Sequence, residues 1–351
     1  MQGALHAEPA NLKSEIYNLK SQRVKWGLIG AGDIVRKRVG QALREGRGCE
    51  LVAVSRARTD LVEPFARDVG ARRWHAGWRD LVADEAVDAV YVATPVHLHA
   101  EQTVAAAEAG KHVLCEKPMA MTVAECDRMI AACRAHGVRL GIAYYRRFYP
   151  AVVRVKALIT SGEIGQPVFA QMNAFEHFDP DGDHPRRWLL DPSVSGGGPM
   201  MDFGCHRLEV LLHLLGPVRQ TASFAANVAF DRAVEDTAAV LLQFDQGPVG
   251  VVAVTHASRV PQDTLQLFGT LGSVQIDELN AGTIRIRVGD RERVESHPPA
   301  ANLHGPLVDD FVDAVLTGRE PAVTGTMGRA VADIEDQIYM AAPARGTRGV
   351  P

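Results

Sequence analysis

Two short stretches of the sequence carry side chains that could perform acid–base chemistry. In the first, GGGPMMDFGCH, Asp202 and His206 are four residues apart, a spacing that places both on one face of a helix. There the carboxylate can orient the imidazole for proton transfer, or bind a hydroxyl group itself. In isolation the same spacing is better explained by a capping aspartate followed by a structural histidine.

The second stretch is LCEKPMA, an apolar run that ends in Glu116, Lys117 and Pro118. A strand that leaves the core for a solvated turn would explain a lone pattern of this kind. If the charged pair is instead turned inward, the ammonium of Lys117 can stabilise negative charge that develops on a substrate oxygen. The elements around the two stretches decide between these interpretations.

A glycine-rich turn lies upstream of both stretches. The sequence predicts a strand over Val24–Ile29, a helix over Ile34–Glu45 and a second strand over Cys49–Ser55. A G-x-G turn in this setting lets the backbone approach a pyrophosphate at the helix N-terminus. The third fingerprint position is Val35 rather than Gly or Ala, so the match is incomplete. We expect cofactor contacts from Gly30, Ala31, Gly32, Asp33 and Ile34.

The end of the second strand indicates which dinucleotide is bound. An NAD site usually carries Asp or Glu here to bind the ribose hydroxyls, whereas this chain has Ser55 and Arg56, followed by Arg58. A hydroxyl and a guanidinium suit a 2′-phosphate, so we expect NADP(H) to be favoured over NAD(H). The alternative is that Arg56 and Arg58 are solvated turn residues.

The spacing of the remaining elements predicts the fold class. Up to about Tyr145, strands and helices alternate, which favours a parallel sheet covered on both faces, a doubly wound Rossmann domain. Beyond it, strands are joined by turns too short for helical crossovers, which predicts an α+β domain with a large, mainly antiparallel open sheet. The predicted divisions are a tail over residues 1–22, a dinucleotide domain over 23–145, a substrate and oligomerisation domain over 146–342 and a tail over 343–351.

Composition limits the partners. The net charge of −4 over 351 residues offers no basic excess for a nucleic acid, and no apolar run approaches the roughly 18 to 20 residues that cross a bilayer. The first 22 residues lack the pattern of a secretory signal. Five cysteines form no C-x-x-C pair, so we expect buried thiols, no metal and a cytoplasmic location.

The order of the motifs resembles one known family. GLIGAGDI, ATPVHLHA, EKPMA, RRFYP, SGEIGQP, GGGPMMDFGCH, VEDTAAVLL and FGTLGSV follow one another as in the glucose-fructose oxidoreductase, inositol dehydrogenase and rhizopine-catabolism (Gfo/Idh/MocA) family. The resemblance runs from about residue 24 to 333. It implies reversible hydride transfer between a nicotinamide and a sugar, inositol or related polyol, and a homodimer or homotetramer built through the C-terminal sheet.

The resemblance also implies positions for side chains. Thr94, Pro95 and His99 would border the cofactor, while Glu116 and Lys117 would lie beside the nicotinamide, with a cis bond between Lys117 and Pro118. We further expect Trp188 at the cofactor and these residues at the substrate: Tyr145, Arg147, Arg186, Asp202 and His206.

Three functions fit these expectations. The leading hypothesis is an NADP(H)-dependent oxidoreductase with His206 as general acid and base, Lys117 as the cation that orients the substrate, and Asp202 as the residue that orients both. The alternatives are a glycosidase that retains its NAD and a non-catalytic sensor with the same fold. Phe175, Glu176 and His177 are expected near the substrate without a defined direction, and His256 is expected to be structural.

Overall fold

The computed structural model describes residues 22–341. Residues 1–21 of the predicted tail over 1–22, and all of the predicted tail over 343–351, lie outside the described residues. None of the helices within 22–341 is long and apolar enough to cross a membrane. The five cysteines, all within this range, are buried and form no disulfide bond.

Within residues 22–341, the first sheet consists of six parallel strands. They are β1 (Val24–Ile29), β2 (Cys49–Ser55), β3 (Arg73–His75), β4 (Ala89–Val92), β5 (His112–Cys115) and β6 (Leu140–Ile142). Their spatial order is β3-β2-β1-β4-β5-β6, the order of a dinucleotide-binding Rossmann sheet. The central strands are apolar at nearly every position because helices cover both faces. The predicted fold of this half is confirmed.

Five helices accompany the first sheet in the described part of the chain. They are α1 (Gly40–Glu45), α2 (Val62–Val69), α3 (Trp78–Ala83), α4 (His99–Glu108) and α5 (Val123–Ala135). The continuous helix predicted from Ile34 begins instead with a π-helical turn over Val35–Val39, in which the Gly40 N–H donates to the Val35 carbonyl five residues earlier. The helix N-terminus beside the glycine turn is therefore wider than an α-helix.

Helix α5 begins with a capping box. The Thr122 hydroxyl accepts a hydrogen bond from the Glu125 N–H at 3.2 Å, which satisfies one of the free amides at the helix start. The Glu125 carboxylate accepts from the Met121 N–H at 3.0 Å, one residue before the cap. This arrangement fixes the start of α5 directly after the LCEKPMA turn.

In the same described range, the second sheet has eight strands. They are β7 (Pro167–His177), β8 (Val218–Ala226), β9 (Thr237–Phe244), β10 (Val249–Thr255), β11 (Ala257–Gly269), β12 (Gly272–Ile276), β13 (Thr283–Val288) and β14 (Arg291–Ser296). Their order is β14-β13-β12-β11-β7-β10-β9-β8, with β7 and β10 parallel and the other pairs antiparallel. The prediction of a large, mainly antiparallel sheet is confirmed.

One face of the second sheet is buried and the other is open. Along β9, residues at alternate positions are buried, while Leu241 between them is 48% exposed. Phe224 on β8 is 84% exposed, and Phe268 on β11 stacks on Phe169 of β7 at a ring distance of 6.3 Å. The open face therefore carries large apolar side chains, which monomeric soluble proteins rarely expose as a group.

The remaining helices connect the second sheet to the first. They are α6 (Pro150–Thr160), α7 (Pro192–Ser195), α8 (Cys205–Leu215), α9 (Gly305–Thr317) and α10 (Gly325–Ala341). Phe311 on α9 packs on Trp26 of β1 with ring centroids 5.5 Å apart, and Thr324 forms a backbone bridge to Gly141 of β6. The chain therefore returns to the first sheet after completing the second, and the predicted division between residues 145 and 146 remains a prediction.

Candidate active site

The glycine turn after β1 is shaped for close backbone approach. Gly30 has φ of +107°, and a Cβ there would lie 2.3 Å from the Ala93 carbonyl oxygen, so only glycine fits. Its N–H donates to the Ser55 carbonyl at 2.9 Å. At Gly32 no described atom lies within 4 Å of the position of a Cβ. This open space at a helix N-terminus fits a dinucleotide phosphate.

The residues around that space differ in exposure. Asp33 is exposed and pairs with Lys37 at 2.7 Å, while Ala31 and Ile34 are half-buried. Val35, the residue at the third fingerprint position, is completely buried. The incomplete fingerprint is thus compatible with the fold because the nonstandard residue packs inward, away from the space over Gly32.

Arg36 and Arg56 lie close enough to repel each other beside the end of β2. Arg56 is half-buried with its guanidinium 5.5 Å from the Phe65 ring. Burial, followed by repulsion from Arg36 and Arg58, lowers the pKa of Arg56. The Arg58 guanidinium is held by Asp60 at 2.8 and 3.2 Å. Arg36, on the π-helical turn, has no hydrogen bond or ion pair with an acid within residues 22–341 and was not predicted.

Ser55 and His99 are both buried. The Ser55 hydroxyl, at the predicted end of β2, has no hydrogen-bond partner in the described residues. His99 is completely buried, and its two ring nitrogens lie 2.9 Å from the Pro118 carbonyl and 2.8 Å from the Thr94 carbonyl. The ring therefore joins the Thr94-Pro95 turn to the Lys117-Pro118 turn, and the cofactor contacts of both residues stay predictions.

The Lys117 turn points into the molecule. The Lys117-Pro118 bond is cis. The Lys117 ammonium donates to the Asp202 backbone carbonyl at 2.5 Å and lies 3.7 Å from the Asp202 carboxylate. Burial opposes the charged form, but nearby negative groups, including Asp202 and Glu116, outweigh it and raise the pKa of Lys117. The lysine is therefore a permanent cation at physiological pH.

Glu116 stabilises the Lys117 turn. Its buried carboxylate accepts from the Tyr91 hydroxyl at 2.8 Å and from the Lys117 N–H at 3.2 Å, and the His304 ring lies 3.5 Å away. Burial would raise the pKa of Glu116, but these partners hold it below its usual value. The carboxylate is thus ionised and engaged by protein groups, which makes it a support for Lys117.

His206 lies on α8 against an aromatic wall. The Tyr145 ring is 4.8 Å from the imidazole, and Tyr144 packs at 5.8 Å. The ring is nearly buried, and its Nδ1 has no hydrogen-bond partner among residues 22–341. Burial, followed by repulsion from Lys117 and the nearby arginines, moves the pKa of His206 well below its ordinary value. The imidazole is therefore neutral and able to accept a proton.

The predicted pairing of Asp202 with His206 is absent from the described structure. Asp202 lies in a second π-helical turn, Met200–Gly204, and no hydrogen bond joins it to His206 in the described residues. Its carboxylate accepts from Arg186 at 2.9 Å and faces Lys117. The link of Asp202 to Lys117 is therefore present, and the orientation of His206 by Asp202 stays a prediction.

Two other predicted residues form no hydrogen bond or ion pair with Lys117, Asp202 or His206 in the described residues. Arg147 is buried and donates to Glu209 at 2.7 Å and to the Ala322 carbonyl at 2.5 Å, so its guanidinium is occupied by protein groups. Trp188 is 37% exposed in a short turn over Arg187–Leu190. Arg186, in contrast, reaches the cluster through Asp202.

A cavity of about 430 Å³ lies next to the segment that carries Asp202 and His206, although Lys117, Asp202 and His206 do not themselves line it. It lies between the ends of β7 and β11, and its lining includes Arg146, Phe175, Glu176, Phe203, Arg207 and Asp263. Glu176 approaches His256 at 3.7 Å, and His256 lies 3.9 Å from Asp202. His256 was expected to be structural, and its sequence neighbours give no sign of this proximity, which arises from the parallel pairing of β7 with β10.

Two known domain families match successive parts of the chain. Residues 24–144 match an oxidoreductase family with an NAD-binding Rossmann fold, and residues 152–275 match the Gfo/Idh/MocA C-terminal domain. The chain belongs to the Gfo/Idh/MocA oxidoreductase family. The predicted family and the assignment as an NAD(P)-dependent oxidoreductase are thereby confirmed.

Individual relatives span nearly the whole chain. A 1,5-anhydro-D-fructose reductase of Ensifer adhaerens is 31% identical over 87% of this chain and 92% of its own length. A D-xylose 1-dehydrogenase [NADP(+)] of Haloarcula marismortui is 33% identical, with 92% of each chain covered. The solved aldose-aldose oxidoreductase of Caulobacter crescentus, complexed with glycerol, superposes with a TM-score of 0.83 at 27% identity, covering 91% of this chain and 97% of its own.

Proposed function

We propose that this protein is an NADP(H)-dependent oxidoreductase that transfers a hydride between the nicotinamide and a carbinol or carbonyl carbon of a sugar or related polyol. The observation that supports it most directly is the Lys117 turn, which directs a buried cation onto Asp202, in the same segment that carries the neutral imidazole of His206. A cavity of about 430 Å³ reaches this segment through Phe203 and Arg207. The relatives named for 1,5-anhydro-D-fructose and D-xylose support the substrate class.

The residues of the first sheet fit the dinucleotide. The space over Gly32 would receive the pyrophosphate, and the guanidinium groups of Arg36 and Arg56 would bind the 2′-phosphate of NADP(H). A phosphate between the two guanidinium groups would relieve their mutual repulsion. Among residues 22–341, the nearby Asp60 offsets this repulsion at Arg56 only in part. When bound, NADP(H) supplies or takes up the hydride at C4 of its nicotinamide ring.

The chain's own residues handle the proton and the charge. In the oxidative direction, the carbinol C–H bond breaks as the hydride leaves, and the hydroxyl proton passes to the neutral His206 ring. The Lys117 ammonium stabilises the negative charge that develops on the same oxygen. Asp202 holds that ammonium through its backbone carbonyl and carboxylate. In reduction the protonated ring returns the proton to the oxygen.

The absorbance of NADPH over a panel of aldoses, keto-sugars and inositols tests this function. We expect turnover with at least one of them and a higher kcat/KM with NADP(H) than with NAD(H). Glycoside hydrolysis without net cofactor turnover would support the glycosidase alternative instead. Absence of both turnover and cofactor binding would support a sensor.

Assembly is a further part of the proposal. The open face of the second sheet, with Phe224, Leu241 and Phe268 exposed, supports a homodimer or homotetramer formed through that sheet. Sedimentation velocity of the protein and of a Phe224→Lys variant tests it. A monomeric wild-type protein at micromolar concentration would contradict it.

A further inference from the structure

Three polar atoms from separate segments converge beside the cavity. They are Oε1 of Glu176 at the end of β7, Oδ2 of Asp202 in the π-helical turn and Nε2 of His256 between β10 and β11. The histidine nitrogen lies 3.7 Å from the first and 3.9 Å from the second, and all three ligand atoms lie within 4.8 Å of one another. His256 is completely buried, and its Nε2 has no hydrogen-bond partner among the described residues.

The protonation of the His256 ring is fixed from its other side. Arg232 donates through Nη2 to Nδ1 of His256 at 2.9 Å. A guanidinium has no acceptor, so Nδ1 must offer its lone pair and cannot carry a proton. Burial, the largest effect, lowers the pKa of His256 to about 4, so the ring is neutral at physiological pH. The single ring proton therefore resides on Nε2, and it points between the two carboxylates.

This tautomer argues against a metal at the same position. Two carboxylates and an imidazole at these distances could hold a divalent cation only if Nε2 offered a lone pair. That would move the proton to Nδ1, directly against the Arg232 N–H donor. The Asp202 oxygen also already accepts from Arg186 at 2.9 Å. The cluster is therefore one donor facing two acceptors.

We propose that Glu176, Asp202 and His256 form a subsite for two neighbouring hydroxyl groups of the substrate, a vicinal diol. One hydroxyl donates to Glu176 and the other to Asp202, while the His256 N–H donates to an oxygen of the pair. Two hydroxyl donors and one accepting lone pair match the two acceptors and one donor of the protein. A single hydroxyl has one proton and could donate to only one of the two carboxylates.

The distances show that these groups do not satisfy one another. The separations of 3.7 and 3.9 Å are too long for direct hydrogen bonds, and an oxygen about 2.8 Å from Nε2 and from a carboxylate would bridge them. Glu176 lines the cavity and its side chain is 44% exposed, so the subsite is approached from the side of this carboxylate. The opposite oxygen of Asp202 faces Lys117 at 3.7 Å. Asp202 thus places the diol next to the carbon that reacts.

This inference deepens the proposed function and rests on it for the identity of the substrate, so its first test does not need turnover. The first test is NMR of the full chain with NADP+ bound and ¹⁵N-labelled histidine, in which the signals of His256 are identified by their loss in His256→Met. We expect these signals to show a ring protonated at Nε2, and to shift when cis-1,2-cyclohexanediol is added but not when cyclohexanol or MgCl₂ is added. An Nδ1–H ring, equal shifts with both alcohols, or a shift with Mg²⁺ would overturn the subsite.

The second test uses whichever sugar is turned over. Analogues in which each hydroxyl in turn is replaced by fluorine should show two adjacent positions where kcat/KM falls by at least about 10²-fold, because the subsite is left with unpaired polar groups. In His256→Met, whose side chain packs between Phe178 and Phe203, that discrimination should fall to within about tenfold. His177→Met, on the same strand as Glu176, is the matched control and should discriminate like the wild type.

The outcomes separate the two proposals. If His256→Met turns over the sugar and still discriminates against the fluorinated analogues as the wild type does, the proposed subsite is wrong and the proposed oxidoreductase function stands. A diol-dependent shift in a protein that turns over no sugar would keep the subsite and remove the proposed function. If His256→Met does not fold, the kinetic comparison is made instead with Glu176→Gln, which changes a partly exposed side chain.

Discussion

The two arginines beside the end of β2 give a direct test of cofactor selection. Arg56→Ala removes one of two guanidinium groups that repel each other in the protein and that we assign to the 2′-phosphate. A hydrogen bond between charged groups contributes about 1.5 to 3 kcal/mol, which corresponds to about 10- to 150-fold in affinity. Because Arg56 is only partly buried, screening by salt places the expected loss towards the lower end.

The assay compares four variants with both cofactors. We expect Arg56→Ala and Arg36→Ala each to raise the Kd for NADPH at least about tenfold while the Kd for NADH changes less than about threefold. Arg58→Ala is the control, since its guanidinium is already held by Asp60 and its loss should change either Kd less than about threefold. Arg56→Asp should move the kcat/KM ratio towards NADH, because a carboxylate accepts from the ribose hydroxyls.

Two results would refute this reasoning. If Arg56→Ala weakened NADPH and NADH equally, the arginine would be supporting the fold around Phe65 rather than reading a phosphate. If Arg58→Ala weakened NADPH as much as Arg56→Ala did, the discrimination would come from general positive charge. Raising the ionic strength should reduce the wild-type preference for NADPH more than that of Arg56→Ala, which keeps only the contact from Arg36.

The remaining predictions concern the chemistry and the core. His206→Ala and Lys117→Ala should each lower kcat by about 10²-fold or more with the Kd for NADPH retained, and full activity in both would contradict the mechanism. The pKa of His206 is lowered and its neutral ring is the proton acceptor, so kcat/KM for oxidation should fall only at pH values below the ordinary histidine range. This fall at low pH should be absent from the pH profile of His206→Ala. Arg147→Met should cost about 3 to 5 kcal/mol of unfolding free energy by leaving Glu209 buried without its partner, and Arg147→Met/Glu209→Leu should recover most of it by calorimetry.

Local patterns predicted those elements whose own residues determine them. The strands β1 and β2 appear with the predicted bounds because each is a continuous apolar run between turn residues. No helix or strand was predicted between the end of β2 and residue 86. Helix α2 nevertheless buries Val62, Phe65, Ala66 and Val69 at helical spacing and ends at Gly70 with φ of +77°, so the sequence pattern does indicate this helix. The three-residue strand β3 is too short to show a period.

The site was predictable in part for a related reason. The Lys117 turn follows a buried strand, so its position at the sheet edge follows from the alternating elements, and its contact with Asp202 agrees with the expected arrangement. The spacing of Asp202 and His206 did not reveal that Arg186 and Lys117, distant in sequence, are the partners of the Asp202 carboxylate. The approach of Glu176 to His256 depends on which strands are neighbours, and no local pattern encodes that order.

The return of α9 and α10 to the first sheet makes the second sheet an insertion rather than an appended domain. Both ends of the inserted segment are anchored to the first sheet and its helices, at Tyr145 and at His304, and the centroids of these two rings lie 4.4 Å apart. A chimaera that exchanges the substrate half must therefore cut the chain twice, near these rings. Cutting once would also replace His304, which contacts Glu116, and Phe311, which packs on β1.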